Sequence, residues 1–226
     1  MAADPKQFWE ARLATWELGR YGQPDRPLGV LEWIANRSSM SLRHRIAITP
    51  ELLKPFLANR RVVELGCGSG LLAARFIEYG AADYLGVDIA ETAIGAARAT
   101  YGDRDPRIRF KVGAVADLPE ISADLVVSLG LFDWLTDAEI ADVFRKSGSA
   151  DFLHAIAERR PGIQQLLHRS YVRLAYGRDS YRPRYFTCQH VRSLAGPSAR
   201  APLHVYRNWR LSFGALISSL PIGETI

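Results

Sequence analysis

The run Glu64-Leu-Gly-Cys-Gly-Ser-Gly70 constrains this chain more than any other stretch. It follows Arg61 to Leu65, a short apolar segment that reads as a strand, and precedes Leu71 to Tyr79, which reads as a helix closed by Gly80. Strand, glycine turn and helix in that order form the opening unit of a parallel α/β sheet. Glycine permits positive φ and close backbone approach. The helix N-terminus behind the turn attracts a negative group. Open α/β sheets bind ligands at the carboxyl ends of their strands. The turn is therefore expected to hold a nucleotide or a related cofactor.

The flanking sequence extends the same grammar. Strands are predicted at Ala82–Val87, Ile108–Val112, Ala123–Ser128 and Phe152–Ala157, with helices at Glu91–Tyr101 and from the capping box Thr136-Asp-Ala-Glu139 to about Lys146. Ala123–Ser128 is almost wholly apolar, as a parallel strand buried on both faces should be. Beyond them, Gly162–Tyr176 reads as a helix, and Thr187 caps another that ends at Gly196-Pro197. Leu203–Arg207 and Leu211–Ile217 then read as an antiparallel strand pair at the sheet edge. The expected fold is a doubly wound α/β sheet of seven strands, mostly parallel, with an antiparallel C-terminal edge pair.

Residues 1–60 read as a helical N-terminal cap, and 61–226 as the main domain, with an insertion at about 160–200 covering the acceptor side. The cap divides into helices over 5–20, 28–36 and 42–48, and a fourth from Thr49-Pro50-Glu51 to about Leu57. A chain of 226 residues suits one sizeable domain. No run is long and apolar enough to cross a bilayer, and no secretory leader is visible. With two cysteines, Cys67 and Cys188, neither a disulfide framework nor a metal knuckle is expected, and the cytoplasm is the default compartment. Net charge is +5, yet residues 159–210 hold eleven arginines against the single acid Asp179. That segment is either a solvated basic face or the recognition surface for an anionic partner. No aromatic-rich recognition motif accompanies the arginines, so nucleic acid is disfavoured.

The choice of cofactor rests on a few positions. The dinucleotide fingerprint G-x-G-x-x-G/A needs glycine or alanine at position 71, where Leu71 stands. An acid, Glu64, precedes the first glycine by two residues, and Asp88 lies 22 residues after Gly66 at the end of the second strand. Asp88 can accept from both hydroxyls of a ribose. Asp117, in Ala116-Asp117-Leu118-Pro119 after the third strand, can accept from an adenine amine.

Glu64-x-Gly-x-Gly-x-Gly70, the acid Asp88, Ala116-Asp-Leu-Pro119 and Asp124-Leu-Val-Val-Ser-Leu-Gly130, in this order, resemble the class I S-adenosylmethionine (SAM)-dependent methyltransferases. The resemblance spans about 61–157. It implies a Rossmann-like fold, SAM as cofactor and methyl transfer as the activity. It also implies that Gly66, Cys67, Gly68 and Gly70 wrap the methionine part and that Glu64 holds its amino group. Asp88 and Ile89 would then bind the ribose, with Ala116, Asp117 and Leu118 at the adenine and Leu129 at the end of the fourth strand. More loosely, the chain is similar to bacterial natural-product and polysaccharide-pathway methyltransferases, and distantly to the magnesium-protoporphyrin O-methyltransferases.

Methyl transfer mainly asks for alignment and exclusion of water, and an oxygen nucleophile also benefits from a general base. His168, His190 and Tyr185 are the catalytic candidates, because they fall in the segment expected to cover the site. Phe132, Arg159, Arg160 and Tyr21 are candidates for acceptor contact. His154, inside its strand, reads as a core histidine. No metal-ligand spacing is present. The expected acceptor is a small or medium-sized molecule, anionic if the arginines serve recognition, methylated on oxygen or nitrogen. The rival readings are a nucleic-acid methyltransferase, an NAD-dependent oxidoreductase and a non-catalytic SAM-binding protein. The sequence leaves the oligomeric state open.

Overall fold

The computed structural model describes residues 4–11, 30–102, 104–160, 165, 183–196 and 202–225, with 30–39 as backbone. Eight strands form one sheet in the order β3-β2-β1-β4-β5-β7-β6-β8. They are β1 (Arg61–Leu65), β2 (Asp83–Asp88), β3 (Ile108–Val112), β4 (Leu125–Leu129), β5 (Asp151–Ala157), β6 (His204–Tyr206), β7 (Gly214–Ser218) and β8 (Glu224–Thr225). β1 to β5 are mutually parallel, while β7 runs antiparallel to β5 and to β6. Strand order reverses between β1 and β4, which puts a topological switch point beside the glycine turn.

The parallel core agrees with the sequence reading to within a residue or two at each strand. The antiparallel edge is present too, extended by the two-residue β8, which pairs with β6. Residues 211–213, expected to open the last strand, complete a 3-10 turn (Trp209–Leu211) and the bend that follows it. Asn208 caps that turn by accepting from the Arg210 amide, so β7 starts only at Gly214.

The helices are α1 (5–11), α2 (Val30–Leu53), α3 (Ala73–Glu78), α4 (Glu91–Tyr101), α5 (Asp137–Ser147) and α6 (Cys188–Ala195). The predicted breaks near residues 36–42 and at Thr49 do not occur, and α2 runs through Pro50 without interruption. Thr49 is fully buried with its hydroxyl unpartnered, so the expected N-cap does not form. The flanking Ile46, Ile48, Leu52 and Leu53 join the core on one side of the sheet. That burial outweighs the local preference of proline to start a helix. By contrast, the capping box at Thr136 and Glu139 forms as its sequence dictates. Of the predicted helix over 162–176, only Gln165 falls among the described residues, and it is helical.

Two apolar layers flank the sheet. One gathers Leu53, Leu57, Phe76, Tyr84, Ile94 and Phe110. The other gathers Phe132, Ile140, Phe144, Phe152, Phe186 and Val191 under α5 and α6. His154 is fully buried in the second layer. It stacks on Phe132 at 4.3 Å, and its Nδ1 is 2.9 Å from the Ser128 hydroxyl. Burial pulls its pKa down to about 3. It is a neutral core residue.

Candidate cofactor and acceptor site

The glycine turn is pinned to β2. The Gly66 and Cys67 amides donate to the Val87 carbonyl at 2.8 and 3.2 Å. Gly66, Gly68 and Gly70 have φ of +70°, +53° and +78°, a region that side chains disfavour. A Cβ at Gly70 would meet the Phe110 ring at 2.7 Å. Backbone conformation therefore favours glycine at all three positions, and packing requires it at Gly70 as well. Cys67 is buried, and its sulfur fills the space over Gly86, where a Cβ would lie 2.7 Å away.

Asp88 organises this turn from the end of β2. One carboxylate oxygen accepts from the Gly68 amide and the other from the Ala90 amide, both at 2.9 Å. Burial raises its pKa against the lowering effect of these amide bonds. Each carboxylate oxygen has a further lone pair, so hydroxyl donors can still be accepted from the open side. Glu64 is also buried and accepts from the Tyr84 hydroxyl at 2.5 Å.

The loop after β3 forms a 3-10 turn at Val115–Asp117 that leaves Ala116 and Asp117 exposed and Leu118 half-buried. Lys146 of α5, itself buried, donates to the carbonyls of Val115 and Ala116 at 3.1 and 2.8 Å and pairs with Asp142 at 2.7 Å. This tether fixes the loop from behind.

Helix α1 reaches over the same edge. Glu10 accepts from the Glu91 and Thr92 amides at 2.7 and 3.0 Å, taking up free donors of the first turn of α4. Trp9 packs on Ala90 and Ala93 and meets Trp134 at a ring distance of 4.9 Å. The end of β2 and the loop after β4 are thus bridged by one short helix.

The end of β4 forms the other half of the site. Leu131 packs beside Gly66, where an added Cβ would touch it at 3.3 Å. Phe132 points away, fully buried against His154 and Phe144. This corrects the expectation that it contacts the acceptor: its ring belongs to the core. Asp133 turns across the strand ends, its Oδ1 accepting from the Ala157 amide at 2.7 Å. Burial raises its pKa to about 6, opposed by that amide bond and by the charge of Arg45.

The other candidates separate. Tyr185 follows Arg184, whose amide donates to the Asp133 carbonyl at 2.7 Å, and its ring lies 5.9 Å from that of Phe213 near the end of β5. His190 stacks on Phe186, and its Nε2 is 3.0 Å from Asp137, so these contacts tie α6 to α5. Arg159 is exposed at the end of β5. Arg160 is engaged by Glu158, which Arg207 holds through two further bonds at 3.0 and 2.8 Å. Burial pushes the Glu158 pKa up, but bonds from Arg207, Cys188 and Arg160 outweigh it and hold the pKa at about 2. Its place between two arginines makes Arg160 part of a structural network. His168 and Tyr21 lie outside the described residues.

Sequence reading missed Tyr84, Lys146, Asp133 and Arg45. Asp133 carried a usable signal, a carboxylate within the first few residues after a buried parallel strand. Lys146 and Arg45 carried none, since only the fold brings them to the site.

The arrangement suits SAM. A positive-φ glycine cradle borders buried Glu64, Asp88 offers oxygen to hydroxyls, and a tethered loop exposes Ala116 and Asp117. A family model described as a methyltransferase domain matches residues 62–150. Ribosomal protein L11 methyltransferase of Pseudomonas aeruginosa is 42% identical over 74 residues, 32% of this chain and 25% of that protein. Its Azotobacter vinelandii counterpart is 32% identical over 120 residues, 51% of this chain and 41% of that one. The chain thus matches less than half the length of these relatives. Among solved structures, magnesium protoporphyrin IX methyltransferase from Synechocystis with bound S-adenosylhomocysteine (SAH) superposes with a TM-score of 0.70 at 15% identity. That match covers 94% of this chain and 96% of that one. A SAM-dependent methyltransferase from Mesorhizobium loti has a TM-score of 0.55 at 22% identity, covering 76% and 96%. At such identities the likeness is one of fold. Residues 62–150 thus carry a methyltransferase domain, whose methyl donor is SAM, on a fold shared with solved SAM-dependent methyltransferases.

Proposed function

We propose that this protein methylates an oxygen or nitrogen of a small or medium-sized acceptor, seated at the carboxyl ends of β4 and β5. The observation that carries the reading is Asp133. Its carboxylate spans those two strand ends on the Ala157 amide, and its pKa near 6 suits a proton acceptor at neutral pH.

Bound at the glycine turn, SAM supplies a methyl group already activated on a sulfonium. Glu64, Gly66, Gly68 and Gly70 hold its methionine part, Asp88 and Ile89 the ribose, and Ala116, Asp117 and Leu118 the adenine. Leu129 closes the end of β4. The acceptor lies against Asp133, which takes the proton lost by its nucleophilic atom. Tyr185 and Arg159, near the end of β5, contact the rest of the acceptor. Among the described residues no helix is long and apolar enough to cross a membrane, and the proposed setting is the cytoplasm.

The test is radiolabelled methyl transfer from SAM, offered in parallel to a protein-free small-molecule extract and to ribosomal proteins. Label is expected in a small molecule. Asp133→Asn should lower that rate by about a hundredfold or more and remove the limb of the rate profile near pH 6, while SAH binding persists. Label confined to ribosomal protein, or an unchanged rate and profile in Asp133→Asn, contradicts the reading.

A further inference from the structure

Helix α2 presents unsatisfied polar atoms beside the site. Among the described residues, His44 Nε2 and Arg45 Nε are both buried without a hydrogen-bond partner. Leaving such a group unpaired is costly, and folded proteins keep few of them. The Arg45 guanidinium lies directly on Gly130, the first residue after β4. A Cβ there would meet its Nη2 at 2.8 Å and its Nη1 at 3.1 Å. Gly130 has φ of +91°, so glycine both allows this turn and lets the cation down onto the backbone.

The position is specific. Gly130 is followed by Leu131, which packs beside Gly66 of the glycine turn. Asp133 feels the charge of Arg45, yet no ion pair found among the described residues includes Arg45. On its other side α2 packs on the Trp209–Leu211 turn, which leads into β7 beside β5. A half-buried cation therefore stands over the end of β4, next to the proposed proton acceptor, with donor capacity unspent. Arg160 and Arg207 are paired with Glu158, although Arg160 Nη2 also lacks hydrogen-bond geometry, and Arg184 is engaged by Asp137 and the Leu135 carbonyl.

We propose that Arg45 is the anion-recognising residue of the acceptor site, and that the acceptor carries an oxyanion, a carboxylate or a phosphate, close to the atom that is methylated. The planar guanidinium matches either group with two parallel hydrogen bonds. His44 Nε2, on the neighbouring residue, is a second unspent polar atom. Its imidazole is kept neutral by burial and by the charge of Arg210. The inference rests on the acceptor placement given under the proposed function.

The experiment titrates the SAH-saturated protein with benzoate and with phenyl phosphate, following arginine side-chain Nε–H signals by NMR and affinity by calorimetry. One probe or both should bind saturably and move the Arg45 signal, and the preferred probe distinguishes carboxylate from phosphate. Arg45→Gln should weaken that binding by about tenfold to a hundredfold, with Arg45→Lys intermediate and SAH affinity unchanged in both. Equal probe binding by Arg45→Gln, or no binding of either probe to the wild type, overturns the proposal. If Arg45 served only Asp133, Arg45→Gln would shift the Asp133 titration and leave probe binding intact. Failure of the wild type to bind SAH would instead overturn the cofactor reading.

Discussion

The Tyr84 hydroxyl donates to Glu64 Oε2 at 2.5 Å, with both side chains buried. Burial, together with the neighbouring Glu64, raises the pKa of Tyr84 well above its ordinary value, so the phenol stays protonated and remains a donor. The acid that borders the glycine turn is thereby fixed by a residue of β2.

Tyr84→Phe keeps the ring but removes this donor from a buried carboxylate. Stability should fall by about 1–3 kcal/mol, read from urea unfolding, and SAH affinity should fall with it. Unchanged values would mean that Glu64 is held by other groups.

Lys146 acts on the cofactor through the loop it tethers. Lys146→Met should loosen residues 115–117 and weaken SAH by about tenfold or more, with Lys146→Arg partly restoring it. The discriminating readout is S-inosylhomocysteine, which lacks the adenine amine. Its affinity should change less than that of SAH, whereas a general loss of folding would weaken both alike.

His154 sets a pH dependence of stability. Its folded pKa of about 3 lies below the ordinary value of 6.5, so between these values the unfolded chain binds more protons. Stability from this group is complete above pH 6.5 and is lost as pH falls from there toward 3. Unfolding measured across that window should show a smaller pH slope in His154→Leu than in the wild type.

Gly70 is confined by backbone and by Phe110 together. Gly70→Ala should destabilise by about 1–3 kcal/mol, and Phe110→Leu in the same chain should recover part of the loss. No recovery would place the whole cost in the backbone.

The sequence conveyed the strands and the cofactor half because these depend on local signals. Alternating strands and helices, a glycine turn and acids after successive strands are legible without tertiary information. Asp88 and the Thr136 capping box fall in that class. The acceptor half depends on long-range packing. Lys146 reaches its loop from 30 residues away, and Arg45 reaches Gly130 from within α2. Local preference misled at Thr49-Pro50, where core packing carries the helix onward, and at Phe132, whose ring turns down beside His154. The edge beyond β5 was legible in outline, but Asn208 shifts the start of β7.

The most direct test is calorimetric titration of the wild type and Asp88→Ala with SAH, with NAD titrated alongside. The wild type is expected to bind SAH and not NAD, and Asp88→Ala to weaken SAH by about a hundredfold or more as hydroxyl bonds to a charged acceptor are lost. Unchanged SAH affinity in Asp88→Ala, or binding of NAD as tight as that of SAH, would contradict this expectation.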